Sequence, residues 1–420
     1  MSNKAEKRGL VPKLRFPEFR VAGEWVSQFA DALFDQISNK DHNSDLPVLA
    51  ITQEQGAIPR NLIGYHVSVT EKSIESYKVV EVGDFIISLR SFQGGIEYSN
   101  YKGICSPAYV ILRLKAGYSA DFFKNFLKTI RFITLLTKNL EGLRDGKMVS
   151  YKQFSELQLP TPSLNEQQKI ADCLASLDEL ITLETHKLDT LKTHKKGLMQ
   201  QLFPAEGETL PKLRFPEFQD AGGWEERRMG DICERIMDGT HFSPTSKAGP
   251  CLYLTSKNIQ NGAIDLSNIF YISEEEHRQI YERCPVKKND VLLTKDGANT
   301  GNCAINGIDF EFSLLSSVAV LRGNSFWLDQ GFLYQLILAD RTQKSIQESM
   351  SGQAITRITL EKIGNFSIPV TSIPEQQKVA GCLASLDDLI TAQTQKLAGL
   401  KTHKKGLMQQ LFPALDEVPA

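Results

Sequence analysis

The sequence lacks most of the patterns that mark a stand-alone catalytic or metal-binding protein. Seven cysteines are scattered along 420 residues without a Cys-x-x-Cys pair, which argues against a disulfide framework and a cysteine-based zinc site. The seven histidines show no spacing typical of a metal site or a catalytic triad. No Gly-x-x-x-x-Gly-Lys-Ser/Thr loop for binding phosphate is present. We therefore expect no catalytic residue, no metal site and no cofactor in this chain.

Two further absences concern methyl transfer and membranes. The chain has no Pro-Pro dipeptide, so it lacks the Asp/Asn-Pro-Pro-Tyr/Phe motif that holds an adenine amino group for methylation. No apolar run approaches membrane-spanning length, and residues 1–8 lack the apolar stretch of a secretory signal. With a net charge of −2, any contact with nucleic acid must come from local basic patches. We expect a cytoplasmic protein that contacts no membrane.

Long internal repeats are what the sequence does contain. One block is identical over fifteen positions, and another matches at fourteen of seventeen positions with the same offset of 209. The three repeated blocks are 191–205 with 400–414, 166–182 with 375–391, and 12–19 with 211–218. Repeats at this period indicate two tandem, domain-sized units. The sequences between the blocks have diverged, so a constant frame encloses two variable interiors.

Each repeat predicts one long helix with an apolar seam. Pro162 precedes the first helix, and Ser163 or Asn165 can cap it. Glu166 lies in the first turn, where the helix dipole favours a carboxylate. Eight of ten seam residues are apolar over five heptads, and this period predicts a coiled coil. The seam positions are 170, 174, 177, 181, 184, 188, 191, 195, 198 and 202, and then 379, 383, 386, 390, 393, 397, 400, 404, 407 and 411.

The predicted helices suggest an overall arrangement. Glu184 and Lys195 interrupt the first seam, and polar seam residues commonly fix the register of a coiled coil. A helix of about 37 residues is about 55 Å long, which suits a spacer. If the two helices pack antiparallel, residues 410–414 meet the segment that begins at Pro12. We therefore expect a pseudo-twofold, nearly circular molecule with two globular domains separated by an antiparallel coiled coil.

The two variable interiors predict α/β (α+β) domains, in which strands and helices alternate with Gly- and Asn-rich turns. Trp25 and Trp224 each end an Ala-Gly-x-Trp sequence and are expected to anchor a core. The predicted elements are strands at 85–89, 109–114, 291–294 and 317–321, helices at 121–139 and 328–349, and short strands ending at Pro160 and Pro369. The expected division is domain 1 at 1–162, helix 1 at 163–205, domain 2 at 206–371 and helix 2 at 372–415.

This combination resembles the specificity subunit of type I restriction-modification systems. The residues that carry the resemblance are Asn165-Glu-Gln-Gln-Lys-Ile-Ala with Leu177-Asp-Glu-Leu-Ile, Pro374-Glu-Gln-Gln-Lys-Val-Ala with Leu386-Asp-Asp-Leu-Ile, Asp238-Gly-Thr-His, Tyr253-Leu-Thr-Ser-Lys-Asn-Ile, and Asp290-Val-Leu-Leu-Thr-Lys-Asp-Gly-Ala. Domain 1 departs from this pattern, since it has Ser38-Asn-Lys-Asp-His-Asn-Ser-Asp in place of Asp-Gly-Thr-His.

The resemblance implies a non-catalytic subunit with two target recognition domains, each of which reads one half of a bipartite, asymmetric sequence in double-stranded DNA. It also implies that the helices set the spacer and dock two methyltransferase subunits, and that motor-nuclease subunits join the complex. Those partners, and not this chain, would use S-adenosylmethionine, ATP and Mg. Two readers on a rigid rod face one side of DNA when their spacing is near a multiple of about 34 Å.

Polar side chains in Gly-rich loops are the candidate DNA-binding residues, because Arg or Lys can pair with guanine and Asn or Gln with adenine. In domain 1 they are Gln53, Gln55, Arg60, Arg90, Ser91, Gln93, Arg144 and Lys147. In domain 2 they are Thr240, His241, Lys257, Asn258, Lys295, Asp296, Asn299, Gln353 and Arg357. The alternative for each is a solvated loop residue or a contact to phosphate alone.

The repeated His-Lys-Lys-Gly sequence is the candidate docking surface, because two identical partner copies would require two identical surfaces. Its lysines are Lys195, Lys196, Lys404 and Lys405. Phosphate contact or compensation of the helix dipole are the other interpretations. Two other classes of function also stay open. One is a coiled-coil scaffold or adaptor without a DNA role, and the other is a nuclease or methyltransferase with an unrecognised site.

Overall fold

A computed structural model describes residues 10–43, 45–63, 74–138, 149–246, 248–350 and 356–413. It divides into two compact units. Unit 1 comprises Met1–Glu184 and Lys396–Ala420, and unit 2 comprises Thr185–Gln395. Each long helix therefore contributes one half to each unit. Among the described residues, we find no helix with both the length and the apolar character needed to cross a membrane.

Unit 1 is built around a four-stranded antiparallel sheet with the strand order β2-β9-β6-β7. Two-stranded pairs β1-β10, β3-β4 and β5-β8 surround it. The strands are β1 (Val26–Phe29), β2 (Phe34–Ile37), β3 (Leu49–Thr52), β4 (Gly56–Pro59), β5 (Lys78–Val80), β6 (Phe85–Ile87), β7 (Glu97–Tyr98), β8 (Gly103–Cys105), β9 (Val110–Leu114) and β10 (Gln158–Thr161). The helices are α1 (Ala30–Leu33), α2 (Ser91–Gly94), α3 (Ala120–Phe126), α4 (Ile130–Lys138), α5 (Tyr151–Ser155) and the first half of α6 (Leu164–Leu202).

Unit 2 repeats this plan with the antiparallel sheet β12-β20-β17-β18 and adds a three-stranded sheet, β16-β13-β19. The strands are β11 (Glu225–Arg228), β12 (Cys233–Asp238), β13 (Cys251–Leu254), β14 (Ile259–Gln260), β15 (Ala263–Ile264), β16 (Phe270–Ile272), β17 (Val291–Thr294), β18 (Cys303–Ile305), β19 (Ser313–Leu314), β20 (Val318–Gly323) and β21 (Ser367–Val370). The helices are α7 (Met229–Ile232), α8 (Glu274–Arg283), α9 (Gln330–Leu338), α10 (Asp340–Ser349), α11 (Leu360–Gly364) and the first half of α12 (Ile373–Leu411).

The predicted strands are confirmed as β6, β9, β17 and β20, and the short strands near Pro160 and Pro369 as β10 and β21. The predicted helical stretches each consist of two helices, α3 with α4 and α9 with α10. In unit 1, the Thr129 hydroxyl accepts a hydrogen bond from the Phe132 amide at 3.2 Å and starts α4. In unit 2, the extended backbone of Ala339 (ψ 141°) separates α9 from α10. These local turns explain why one hydrophobic pattern produces two helices.

The repeated blocks build the same buried cluster in each unit. In unit 1, Arg15 donates from Nε and Nη2 to the two carboxylate oxygens of Glu166, both at 2.7 Å, and Trp25 Nε1 donates at 3.1 Å. In unit 2, Arg214 and Trp224 bind the carboxylate that corresponds to Glu166 in the same way. Trp25 and Trp224 are 4% and 3% exposed, which confirms them as core anchors. Two of the three repeated blocks thus meet in one ion pair in each unit.

The frame also holds each variable interior at one fixed point. Gln167, directly after Glu166, accepts a hydrogen bond from the backbone amide of Ser119 at 2.9 Å. Gln376 accepts one from the amide of Asp329 at the same distance. Ser119 and Asp329 are the N-cap residues of α3 and α9. Different interiors therefore attach to the constant frame through the start of an equivalent helix.

Within each unit, the segments of α6 and α12 pair antiparallel. In unit 1, Lys404 Nζ lies 2.5 Å from Asp178 Oδ1 and Lys396 Nζ lies 2.6 Å from Glu184 Oε1. In unit 2, the corresponding pair is Lys195 with Asp387, at 2.6 Å. All twenty predicted seam positions are buried or half-buried. The supercoil and the circular arrangement of the whole molecule stay predictions.

The expected meeting of the repeated segments is confirmed inside each unit. The Leu14 amide donates to the Gln410 carbonyl at 2.9 Å in unit 1, and the Leu213 amide donates to the Gln201 carbonyl at 2.9 Å in unit 2. The Phe412 ring packs in the unit 1 core, with its centroid 5.4 Å from that of Phe122. The end of each long helix therefore closes a hydrophobic core as well as a backbone contact.

Candidate nucleic-acid interface

The central strand of each sheet positions the candidate interface, and a buried ion pair fixes its start. Asp84, directly before β6, binds Arg113 through two hydrogen bonds of 2.8 Å. Asp290, directly before β17, binds Arg322 through two hydrogen bonds of 2.7 Å. The loops that follow β6 and β17 therefore leave the two sheets at corresponding places. This pair was not predicted from the sequence, although an Asp before a hydrophobic run occurs in both interiors.

In unit 1, three candidate residues lie around the loops that follow β3, β4 and β6. Gln53 Nε2 donates to the backbone carbonyl of Arg90 at 3.4 Å. Burial raises the pKa of Tyr109, and the nearby positive charges of Arg60 and Arg90 act in the opposite direction. The Nη1 atom of Arg60 is buried, and within the described part of the chain it has no hydrogen-bond partner. Gln53 and Arg90 are therefore in contact, and the charges of Arg60 and Arg90 both act on Tyr109.

The remaining candidate residues of domain 1 differ in whether their side chains are exposed or buried. Gln55 and Gln93 are exposed, whereas Ser91 is buried and its hydroxyl accepts a hydrogen bond from the Ser88 amide at 2.9 Å. Ser91 thus supports the turn after β6. The candidates Arg144 and Lys147 of domain 1 and Gln353 of domain 2 lie outside the described residues.

In unit 2, the Asp238-Gly-Thr-His segment is fixed by close backbone packing. A Cβ atom on Gly239 would lie 1.9 Å from the Leu314 carbonyl oxygen, so only glycine fits there. The Thr240 amide donates to the same carbonyl at 2.8 Å, and its own carbonyl accepts from Ser316 at 2.8 Å. Thr240 is therefore buried, while the next residue, His241, is exposed.

A ladder of alternating charges connects this segment with two others. Lys295 is buried, with 1% of the residue exposed. Its ammonium lies 3.4 Å from Asp238 Oδ2 and 3.0 Å from Asp296 Oδ2. Arg357 Nε lies 3.4 Å from Asp296 Oδ1, and His241 Nε2 lies 3.4 Å from Asp238 Oδ1. The buried charges of Lys295 and Asp238 are tolerated because each has a partner of opposite sign. The ladder leads from the sheet to the exposed His241 and Arg357.

The other candidates of domain 2 divide in the same manner. Asn258 is buried, and its amide group binds the Thr255 amide and the carbonyls of Asp265 and Asn268 at 2.9 to 3.1 Å. Lys257, directly before it, is exposed, as is Asn299 in the turn after β17. Asn258 therefore supports a loop that presents Lys257. The exposed candidates in unit 2 are His241, Lys257, Asn299 and Arg357.

The candidate docking lysines also fall into two kinds. Lys195 forms an ion pair with Asp387, and Lys404 forms one with Asp178, in both cases between the two long helices. Lys196 and Lys405 are exposed. They border two grooves of about 540 Å³ in unit 2 and about 500 Å³ in unit 1. Six identical residues line each groove, namely Lys192, Lys195, Lys196, Met199, Gln200 and Ile390 in unit 2, and Lys401, Lys404, Lys405, Met408, Gln409 and Ile181 in unit 1.

Each groove also contains an arginine that the sequence analysis missed. Arg131 in unit 1 and Arg341 in unit 2 follow the helix breaks before α4 and α10. Arg131 donates to the Phe412 carbonyl, and Arg341 binds Glu226 through two hydrogen bonds of 2.7 and 2.9 Å. The variable interiors therefore complete both grooves with the same side chain. In the sequence, the two arginines are separated by 210 positions, close to the offset of the repeats, but they lie outside the repeated blocks.

Across the described residues, no three His, Cys, Asp or Glu side chains are grouped so that they could hold a metal ion.

Residues 32–193 and 221–402 match the sequence model of the family described as type I restriction modification DNA specificity domain. The MjaVIII specificity subunit of Methanocaldococcus jannaschii is 24% identical over 358 residues, which cover 82% of this chain and 81% of the relative. The HindI specificity subunit of Haemophilus influenzae is 24% identical over 204 residues, which cover 47% of this chain and 42% of the relative.

Solved structures support the same fold. The type I restriction-modification S subunit from M. genitalium aligns with a TM-score of 0.55 and 17% identity, over 96% of this chain and 99% of that one. A chain from a study of complex assembly and conformational transition of a type I system aligns with a TM-score of 0.56 and 17% identity, over 94% and 98%. With two matched segments that together exceed half of its length, the chain belongs to the type I restriction modification DNA specificity domain family and is a type I specificity subunit.

Proposed function

We propose that each unit reads one half of a bipartite DNA sequence on behalf of a type I restriction-modification complex. The observation that supports this is a common scaffold that carries different polar groups in the loops of its two units. Unit 1 presents the exposed Gln53 and Arg90 with the half-buried Arg60, whereas unit 2 presents the exposed His241, Lys257, Asn299 and Arg357. Since guanine and adenine edges are distinguished by such donors and acceptors, the two half-sites should differ in sequence.

Genomic methylation mapping tests this proposal. The chain is expressed with the modification subunits of its own system in a host that lacks other adenine methylation. The expected result is methylation within one asymmetric sequence of two defined parts separated by unread base pairs. Arg60→Ala should relax only one part and His241→Ala only the other. Methylation without a bipartite sequence, or relaxation of both parts by either variant, would contradict the proposal.

We also propose that the two grooves dock two identical methyltransferase subunits. Six identical residues and an additional arginine in each groove support two copies of one binding surface. Lys196 and Lys405 replace Lys195 and Lys404 as the contact lysines in this proposal, because the latter two are bound within the helix pairs. The proposed partner surface is acidic with an apolar anchor, given the lysines around Met199 and Met408.

Native mass spectrometry of the co-expressed complex tests this stoichiometry. The wild-type chain should retain two modification subunits, Lys196→Glu or Lys405→Glu should retain one, and the double variant none. Lys288→Glu reverses the charge of an exposed lysine outside the grooves and serves as the control. Two bound subunits in the double variant would exclude the grooves as docking sites.

Catalysis is assigned to the partners in this proposal. The chain lacks the phosphate-binding loop and the Pro-Pro motif that nucleotide hydrolysis and adenine methylation commonly use. The methyltransferase subunits would bring S-adenosylmethionine, and the motor-nuclease subunits ATP and Mg. The isolated chain should therefore transfer no methyl group from S-adenosylmethionine to DNA, as measured with a labelled methyl donor. Methylation by the isolated chain would overturn this assignment.

A further inference from the structure

The loops after β6 and β17 can be compared residue by residue. Asp84 and Asp290 directly precede these strands and hold the corresponding ion pairs. Six residues after each aspartate, unit 1 has Arg90 and unit 2 has Asp296. Strand β6 pairs antiparallel with β9 as β17 pairs with β20, so this count gives Arg90 and Asp296 corresponding places in the loop after the strand. An arginine in one unit thus corresponds to an acid in the other.

Unit 2 supplies an arginine to this acid from a distant segment. Asp296 and Arg357 form an isolated antiparallel bridge, and Arg357 Nε lies 3.4 Å from Asp296 Oδ1. The Arg357 side chain is 54% exposed, whereas that of Asp296 is 17% exposed. The acid therefore lies beneath the guanidinium, which faces solvent. Both units consequently present an arginine beyond the end of the central strand, but they do so by different routes.

Asp296 is itself held rigidly. Its Oδ2 atom lies 3.0 Å from the buried Lys295 ammonium. The amide of Ile358, which follows Arg357, donates to the Lys295 carbonyl at 2.9 Å, and the Lys295 amide donates to the Ser317 carbonyl at 2.9 Å. In unit 1, the residue that corresponds to Lys295 is the exposed Leu89, so this position carries no buried cation there.

We infer that Arg90 and Arg357 are counterpart base-reading residues of the two half-sites, and that Asp296 is the positioning residue that orients Arg357. This inference rests on the proposed DNA-reading function. Bidentate pairing with guanine O6 and N7 requires a guanidinium in a defined plane, and a carboxylate 3.4 Å from Nε restricts the planes that Arg357 can adopt. An ion pair with a purely structural role would affect stability, whereas a positioning role predicts an effect on one base pair.

The test uses the chain in complex with its modification subunits. Binding is measured for DNA duplexes that carry each single-base substitution in both half-sites of the mapped target. Arg357→Ala should lose discrimination at one base pair of one half-site, by roughly tenfold to a hundredfold. Asp296→Ala should lose discrimination at the same base pair, and the double variant should lose no more. Arg90→Ala should act at one base pair of the other half-site.

A charge exchange provides the rescue experiment. Asp296→Arg combined with Arg357→Asp places the arginine directly after the strand, as in unit 1. This double variant should recover discrimination relative to Arg357→Asp alone. Arg228→Ala, which removes an exposed arginine of β11, should change neither half-site. Discrimination at the unaffected half-site reports that the complex remains folded.

Two results would overturn the inference. One is full discrimination by Asp296→Ala where Arg357→Ala has lost it, since Asp296 would then not position Arg357. The other is an equal loss of affinity for all duplexes in Arg357→Ala, which would assign this residue to phosphate. A wild-type complex without any sequence preference would instead overturn the proposed function itself.

Discussion

Lys195 donates from Nζ to both carboxylate oxygens of Asp387, at 2.6 and 2.8 Å, and so joins α6 to α12 within unit 2. Gln335 of α9 donates to the same carboxylate at 2.8 Å. The corresponding pair in unit 1 is Lys404 with Asp178. A charged pair at a mostly apolar seam is satisfied in one register only. The variable interior of unit 2 therefore contributes to the register of the constant helices.

Charge reversal within this pair should reveal its role in helix pairing. Asp387→Lys brings a second cation next to Lys195, and we expect a loss of about 2–3 kcal/mol in the stability of unit 2. Lys195→Asp combined with Asp387→Lys should recover most of this loss. Urea unfolding followed by tryptophan fluorescence measures both. A double variant whose loss equals the sum of the single variants would show that the two residues do not interact.

The Arg214–Glu375 pair should be among the most sensitive positions of unit 2. The side chains of Arg214 and Glu375 are 7% and 1% exposed, so Glu375→Ala leaves a buried cation without its partner. We expect a loss of about 3–5 kcal/mol in unfolding free energy. Glu375→Gln keeps acceptor and shape without the charge and should cost less. Equal costs for the two variants would assign the effect to packing and not to charge.

Gly239→Ala should disturb the Asp238-Gly-Thr-His segment. The new methyl group would meet the Leu314 carbonyl oxygen at 1.9 Å, which forces the backbone to move. We expect a loss of stability in unit 2 and weaker recognition of one half-site, with the other unchanged. Methylation mapping and thermal unfolding measure these effects. Gly222→Ala is a matched control, because a Cβ atom there meets nothing within 4 Å.

Acid should release the loop that contains Thr245 and Ser246. Hydrogen bonds from Ser246 and Thr245 lower the pKa of Glu276 to about 2. Because this value lies below the ordinary pKa of a glutamate, the stabilisation is complete above that ordinary value and is lost as the pH falls towards about 2. Amide hydrogen exchange at Thr245 and Ser246 should therefore accelerate, relative to the intrinsic rate, as the pH falls from 4.5 to about 2. In Glu276→Gln, exchange should be faster at neutral pH and less dependent on pH.

The constant frame was predictable because its helices and strands are determined by patterns of neighbouring residues. The seam positions follow from a period that repeats in two copies, and the Trp25 and Trp224 anchors follow from the Ala-Gly-x-Trp sequence that opens both interiors. The strands β6 and β17 follow from buried β-branched and aliphatic runs. These features depend on neighbouring residues in the sequence, which a single chain displays directly.

The interface was less predictable because loop side chains take their roles from distant partners. Asn258 and Lys295 have the residue types of DNA readers, yet carbonyl groups and carboxylates from other segments engage them inside the unit. Arg131 and Arg341 lie outside the repeats and became recognisable only through the grooves that they share. Residue type alone does not separate a buried support from an exposed contact.

The division of the long helices has a consequence for the order in which the protein is made. Unit 1 needs residues after Lys396, and the Phe412 ring fills its core beside Phe122 and Phe126. Unit 2 ends at Gln395, so all of its residues are synthesised before the final segment of unit 1. Unit 1 contains the residues that are translated first, yet it is the last unit to be completed. Until then, Phe122 and Phe126 lack their contacts with the Phe412 ring.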